Sequence, residues 1–304
     1  MRVPPPSAHG DDGAHVARVL GLDPDDLLDL AMTMNPVAPD PAVVVRRHLG
    51  SVRRYPDTRE ATAALAAVAG FDPDRLLLTN GGAEAIALVA AEVGGARVDE
   101  PEFSLYRRHL ARVDAALPRF RSNPANPAGL LARADEVAAV WDEAFYPLAT
   151  GTWTRGDADR GAWVVGSLTK LLSCPGLRLG YVLAPDATAA GRVAARQPMW
   201  SVSGPAAAAL PELLSSVDLP NWSVAVRSLR ADLVSVLRRH GLHPRRSDAN
   251  FVLVDAPGLR ARLAPRGVLV RDCASFGMPG WVRIAVPDAA GLERLRSALA
   301  ASAR

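Results

Sequence analysis

From Thr58 onward, short apolar runs alternate with helical stretches, and that alternation restricts the fold more than any other feature of the chain. Residues 58–69 are alanine-rich and helical, and 75–79 form a short apolar strand. Asn80-Gly81-Gly82 is a turn before a helix over 83–93. Residues 96–99 read as a strand, 104–113 as a helix, and 137–141 as a strand ending in Asp142. Residues 162–167 and 179–184 are further apolar strands. Such a sequence predicts an open, mostly parallel α/β sheet. After Asp186 the texture changes. Helices over 187–196, 205–214 and 222–240 precede strands over 250–255, 267–270 and 281–286 and a terminal helix over 289–301. The expected organisation is an arm over residues 1–40, a large α/β domain over 41–200 and a smaller α+β C-terminal domain over 201–304.

The chain has 304 residues, enough for two such units with substantial cores. No apolar run is long enough to span a bilayer, and the first residues lack the apolar stretch of a signal peptide, so no membrane role is expected. The two cysteines, Cys174 and Cys273, fit a reducing cytoplasm better than a disulfide scaffold. Of 35 basic residues only Lys170 is lysine, and the 34 arginines are dispersed. With a net charge of +3 and no basic stripe carrying interleaved aromatics, they read as solvated faces, and no nucleic-acid partner is expected. Arginine can replace lysine in most surface roles but cannot act as a nucleophilic amine. Composition alone leaves Lys170 open between a leftover surface lysine and a reactive one.

Five segments carry chemistry. In Val165-Gly-Ser-Leu-Thr-Lys170, a strand delivers Ser167, Thr169 and Lys170 to a sheet edge, where the sites of open α/β sheets form. A desolvated lysine beside cationic groups has a depressed pKa and can form a Schiff base. Arg178, eight residues on, supplies a cation that could depress it and hold a phosphate. Gly81-Gly82-Ala83 opens a helix directly after a strand, an arrangement that suits an anion but is also a common turn. Asp142 at a strand end could keep a pyridine nitrogen protonated, or could be one of an exposed Asp-Glu pair. Asn126 lies in a rigid turn rich in proline and asparagine; it could be no more than a loop residue, or it could address a phenolic oxygen. Arg271 stands at a strand end, and Arg283 has apolar neighbours on both sides, so its charge needs an anionic partner such as a carboxylate or phosphate.

The order and spacing of GGAEAI, EPEFSLY, NPANPAG, DEAF, SLTKLLSCPGLRLGY, ANFVLV and GVLVRD…WVRIAV resemble fold-type-I pyridoxal-phosphate enzymes of the class I/II aminotransferase group, from about Asp29 to the C-terminus. Within the group the chain is most similar to the branch that holds histidinol-phosphate aminotransferases and threonine-phosphate decarboxylases. His9-Gly10, the stretch from Leu28 to Pro36, Phe145 and the run Gln197 to Val202 are closer to the decarboxylases. The resemblance implies that Lys170 forms a Schiff base with pyridoxal 5'-phosphate and shuttles a proton. It implies that Asp142 pairs the ring nitrogen, Asn126 holds the phenolic oxygen and Phe103 stacks on the ring. Gly82, Ala83, Ser167, Thr169 and Arg178 would surround the cofactor phosphate, and Tyr55 would reach the phosphate of a partner subunit in a homodimer. Arg283 would grip the substrate carboxylate, with Asn35 and Arg271 also on the substrate side.

The chain departs from the group in three places: Ala128 and Ser203 stand where threonine and asparagine are usual, and the segment 110–123 is short, as if a strand and loop were missing. The implied substrate is a small amino acid or amine phosphate. Decarboxylation of O-phospho-threonine in cobalamin biosynthesis is favoured, transamination of histidinol phosphate is the alternative, and a catalytically idle cofactor-binding partner protein is a third reading.

Overall fold

The computed structural model describes residues 3–302. Among them are eleven strands: β1 (Leu28–Leu30), β2 (Leu76–Asn80), β3 (Gly95–Ala96), β4 (Arg112–Val113), β5 (Phe120–Ser122), β6 (Val140–Asp142), β7 (Trp163–Gly166), β8 (Leu179–Leu183), β9 (Phe251–Asp255), β10 (Val268–Asp272) and β11 (Trp281–Ala285). The large sheet has the order β2-β8-β7-β6-β5, parallel except for β8. An isolated parallel bridge between Arg97 and Arg119 joins the β3-β4 pair to the chain just before β5. The expectation of an α/β large unit with a mostly parallel sheet holds.

Apolar residues alternate between the two faces of this sheet, as the strand period requires. Trp141, Val164 and Leu78 pack under the helices Arg59–Ala69 and Gly204–Leu214. Val140, Val165 and Val182 pack on the other face, under the helices Gly81–Val93 and Ala187–Ala194. Asp186 and Ser203 start two of these helices, their side chains accepting the free N–H groups of Ala189 and Ala206.

The second sheet has the order β1-β10-β11-β9 and packs on the helix Ala289–Ser302. Its edge strand β1 comes from within residues 1–40, so part of the expected arm is a strand paired in parallel with β10. The cores also divide later than residue 200. Leu219, Trp222 and Val226, at the start of the helix Leu219–Arg239, belong to the large unit, whereas Leu233, Val236 and Leu237 belong to the small one. Among the described residues no helix is long and apolar enough to cross a membrane.

The segment 110–123 corrects the expectation of a missing strand: it contains both β4 and β5. They are two and three residues long, too short to show a period. The element that is absent lies further on. β5 and β6 are parallel neighbours, and such a crossover is usually a helix, yet residues 123–139 contain none. Guanidinium groups cover the bare face instead, with Arg155 and Arg121 lying 4.7 and 5.9 Å from the Trp141 ring. Arg155 Nη2 also donates to the carbonyls of Arg133, Ala134 and Glu136, which pins the irregular connection to the sheet.

β8 approaches the start of the helix Gly81–Val93 so closely that a Cβ at Gly180 would lie 2.5 Å from the Gly81 carbonyl carbon. Gly180→Ala is expected to lower unfolding stability by about 2–3 kcal/mol through overpacking. Gly176→Ala, which meets open space, should change it by less than about 0.5 kcal/mol. Urea-denaturation midpoints of the two variants check this.

Candidate active site

β2, β5, β6 and β7 run in one direction, so their C-terminal ends share one edge of the sheet, and β8, running the other way, starts there. Ligand sites of open α/β sheets form at that edge. β5 runs into the turn carrying Asn126, β6 ends in Asp142, and β7 is followed at once by Ser167, Thr169 and Lys170. Arg178 immediately precedes β8. These residues face one cavity of about 160 Å³. A larger cavity, about 660 Å³, opens at the opposite edge beside Arg119, Ala139 and Ala162. It is lined by arginines and carboxylates but no lysine, so the buried amine at the C-terminal strand ends, rather than volume or charge alone, locates the chemistry.

One end of the smaller cavity is made for an anion. Gly82 and Ala83 lie in the first turn of a 13-residue helix, where backbone N–H groups lack helical partners and the dipole favours negative charge. Ser167 and Arg178 complete this end. Arg178 adopts a left-handed backbone with φ 56° and packs on Gly81, where a Cβ would come within 2.4 Å of its Nη2.

Lys170 lies between this end and Arg283. Burial, together with Arg283 and Arg178, lowers its amine from the usual lysine range to about 8, against the opposing pull of Asp142 and Asp29. At pH 7 about a tenth of it is then neutral, against about one part in three thousand for an ordinary lysine. Asp142 is buried, and burial raises its carboxyl above the usual range. Its Oδ2 accepts the Tyr106 hydroxyl at 2.7 Å and its Oδ1 the Ala144 N–H at 3.0 Å. A protonated ring nitrogen against Asp142 would supply the positive charge that burial withholds.

Arg283 Nη1 donates to Asn126 Oδ1 at 2.6 Å and Nη2 to the Ala31 carbonyl at 3.1 Å, while Nε has no partner. Burial lowers the guanidinium to about 10, so it remains a cation at neutral pH and calls for an anion. Arg271, also buried, faces the cavity and donates to the carbonyls of Ser7 and Ala8 and to Ser275 Oγ, with its Nε unpartnered. It therefore ties the N-terminal arm over the cavity. Phe103 forms a wall, edge-on to Tyr106 and to His9 at centroid distances of 6.0 and 6.1 Å. The anion end, the amine, the buried carboxylate and the flat wall fit pyridoxal 5'-phosphate.

Two expected site residues lie outside this cavity. The Asn35 amide donates to the Leu171 carbonyl and accepts the Val37 N–H, so it fixes the arm beside Lys170; Thr33 faces the cavity in its place. Tyr55 is 78% exposed and packs on Trp200 at 4.6 Å. Thr169 borders the cavity, but its hydroxyl donates to the Leu179 carbonyl. Sequence reasoning did not single out Tyr106, His9 or Phe276 as site residues. Tyr106 and His9 both stood in quoted motifs, but their contacts depend on pairings distant in sequence.

A family model described as aminotransferase class I and II matches residues 122–299. The threonine-phosphate decarboxylase of Salmonella typhimurium is 31% identical over 358 positions, covering 96% of each chain. A histidinol-phosphate aminotransferase of Halorubrum lacusprofundi is 28% identical, covering 94% of this chain and 92% of its own. The Salmonella alignment is longer than the 304 residues available, so that relative carries segments this chain lacks. Among solved structures, histidinol-phosphate aminotransferase from Sinorhizobium meliloti in complex with pyridoxal-5'-phosphate has a TM-score of 0.80 at 19% identity, covering 95% of this chain and 94% of its own. L-threonine-O-3-phosphate decarboxylase from Porphyromonas gingivalis has a TM-score of 0.76 at 22% identity, covering 90% and 98%.

Because only the neutral amine attacks an aldehyde, a Lys170 value of about 8 makes capture of pyridoxal 5'-phosphate by the apoprotein pH-dependent. Its rate should rise about fivefold from pH 7 to 8 and level off above about pH 9. Stopped-flow absorbance checks this; a tenfold rise per pH unit that continues beyond pH 9.5 would show an ordinary lysine. With the family model spanning more than half of its length and a 31% relative spanning nearly all of it, the chain belongs to the class I and II aminotransferases, enzymes that work with pyridoxal 5'-phosphate.

Proposed function

We propose that the protein decarboxylates O-phospho-L-threonine in cobalamin biosynthesis, using pyridoxal 5'-phosphate held at Lys170. One observation carries the substrate choice. After Arg178, Ser167 and the helix start have been assigned to the cofactor phosphate, two further buried arginines, Arg271 and Arg283, face the same cavity with unpartnered Nε groups. A substrate bearing both a carboxylate and a phosphate satisfies both at once, whereas histidinol phosphate brings no carboxylate and would leave one arginine to the amino acceptor. His9, at the rim near Arg271, adds a further donor on the phosphate side.

When bound, the cofactor's conjugated ring withdraws electrons from the substrate Cα, which lets one bond to that carbon break. The chain's own groups do the rest. Asp142 would keep the ring nitrogen protonated, Asn126 and Phe103 would hold the ring, and Arg283 would position the substrate carboxylate beside it. Lys170, brought to about 8 by burial, Arg283 and Arg178, would be mostly protonated at neutral pH when its amine is free, and is the group placed to hold or deliver a proton at the substrate Cα.

The reading includes a homodimer. Tyr55, Val52, Met199 and Trp200 are exposed apolar side chains with no covering element, and Tyr55 lies outside its own chain's cavity. In a twofold pair the Tyr55 hydroxyl would reach the cofactor phosphate of the partner. Sedimentation should then give twice the chain mass, and Tyr55→Phe should raise the cofactor Kd about tenfold, the loss of one charge-assisted hydrogen bond.

Incubation of the cofactor-loaded protein with phospho-threonine tests the activity. The expected result is CO₂ release with no keto acid present. Amino transfer that requires 2-oxoglutarate would establish an aminotransferase instead, and no turnover with any amino acid would leave a cofactor-binding protein that is catalytically idle.

A further inference from the structure

Glu102 is 5% exposed and lies behind the cavity wall, and nothing above assigns it a task. Its Oε1 accepts the Ser122 N–H at 3.1 Å, and its Oε2 meets the Ser122 hydroxyl. Ser122 Oγ in turn accepts the Asn126 N–H at 2.8 Å. The Ser122 hydroxyl also faces that of Tyr106, whose proton goes to Asp142 Oδ2 at 2.7 Å. One buried carboxyl thus connects to both polar residues that address the cofactor ring.

The charged groups that act most on Glu102 are Asp142 and Arg121, and the Glu100 carboxylate accepts its backbone N–H at 2.7 Å. Arg121 is consecutive with Ser122 on β5 and so points to the other face of the sheet, where it pairs with Glu136. Among the described residues no cation pairs with Glu102 at contact distance, and Asp142 adds like charge. Two buried carboxyls so placed do not both ionise readily. Asp142 is the one that must ionise to hold the ring nitrogen's proton. Glu102 then keeps its proton, and burial pushes it up to about 8. The hydrogen bonds then close in one sense. Glu102 O–H and Asn126 N–H fill the two lone pairs of Ser122 Oγ, the Ser122 proton turns to Tyr106, and the Tyr106 proton to Asp142. If Glu102 were ionised, the Ser122 proton would turn back to it and Tyr106 would lose that donor.

We propose that Glu102 is a positioning residue of the cofactor site. Uncharged, it orders Ser122 and thereby both the Asn126 turn and the Tyr106–Asp142 pair. The inference rests on the cofactor assignment and is independent of the substrate reading, since its test uses no substrate.

The test is a pH titration of the visible absorption band of the Lys170–cofactor adduct in the holoprotein, together with the cofactor Kd. Glu102→Ala should move the pH midpoint upward by about one unit, since a displaced Asn126 and a less ionised Asp142 both raise the adduct's proton affinity. It should also raise the cofactor Kd about tenfold. Glu102→Gln should keep the parent midpoint and Kd, because its amide oxygen accepts the Ser122 N–H and its N–H donates to Ser122 Oγ at any pH. Ser122→Ala, which leaves Glu102 in place and cuts the connection, should shift the midpoint upward as well; it reads the same path if Glu102→Ala fails to fold. The proposal is overturned if Ser122→Ala leaves the midpoint unchanged, or if Glu102→Gln shifts it as far as Glu102→Ala. A parent protein with no visible band would remove the cofactor assignment and this inference with it.

Discussion

The site is organised by the cost of burying charge. An amine, two guanidinium groups and one carboxyl line a single cavity, Glu102 lies beside Phe103 of its wall, and each is pushed toward its neutral form. The Lys170 amine is lowered, Arg271 and Arg283 are lowered, and Asp142 and Glu102 are raised. Internal hydrogen bonds offset part of this: Tyr106 to Asp142, Ser122 to Glu102, and Arg283 to Asn126. The unpartnered Nε atoms of Arg271 and Arg283 show that the offset is incomplete without a ligand. A molecule with a phosphate at one end and a basic ring nitrogen at the other, met by a substrate with its own anions, supplies the missing opposite charges. The fold holds the groups in place before that ligand arrives, which is what electrostatic preorganisation requires.

Placing those groups depends on strand ends rather than strand interiors. Asp142 closes β6, Lys170 follows β7 by four residues, and Arg178 precedes β8. This part was readable from the sequence, because apolar runs mark strands and polar residues at their ends mark the edge where a site forms. The lone lysine was ambiguous by composition and became specific through its neighbours. The hydrogen bond between Arg283 and Asn126 was not readable, since those residues are 157 positions apart and meet only when the small sheet docks on the large one. The Asn35 and Thr169 side chains look equally suited to a ligand in sequence, yet nearby backbone carbonyls take their donors. Local competition of this kind leaves no periodic trace. Strands as short as β3, β4 and β5 leave none either.

The connection between β5 and β6 contains no helix. Both ends of that connection carry cavity residues, Asn126 near its start and Asp142 just after it. The absent helix would have covered a face of the sheet, not its C-terminal edge. Arg121 and Arg155 now cover that face by packing on Trp141, and Arg155 secures the loop through three carbonyls. Planar guanidinium groups suit the role because they stack on an aromatic face while their N–H groups remain available in the ring plane. Asp142 and Asn126 stand where the parallel pairing of β5 with β6 puts them.

Lys170 is the amine proposed to join the cofactor. Borohydride reduction of the holoprotein converts the labile C=N bond into a stable C–N bond, and peptide mass spectrometry then locates it. The account predicts a phosphopyridoxyl mass increase on the peptide containing Lys170, and none on that peptide when the cofactor is omitted. An unmodified Lys170 peptide after reduction, with the cofactor recovered free or attached elsewhere, would contradict it.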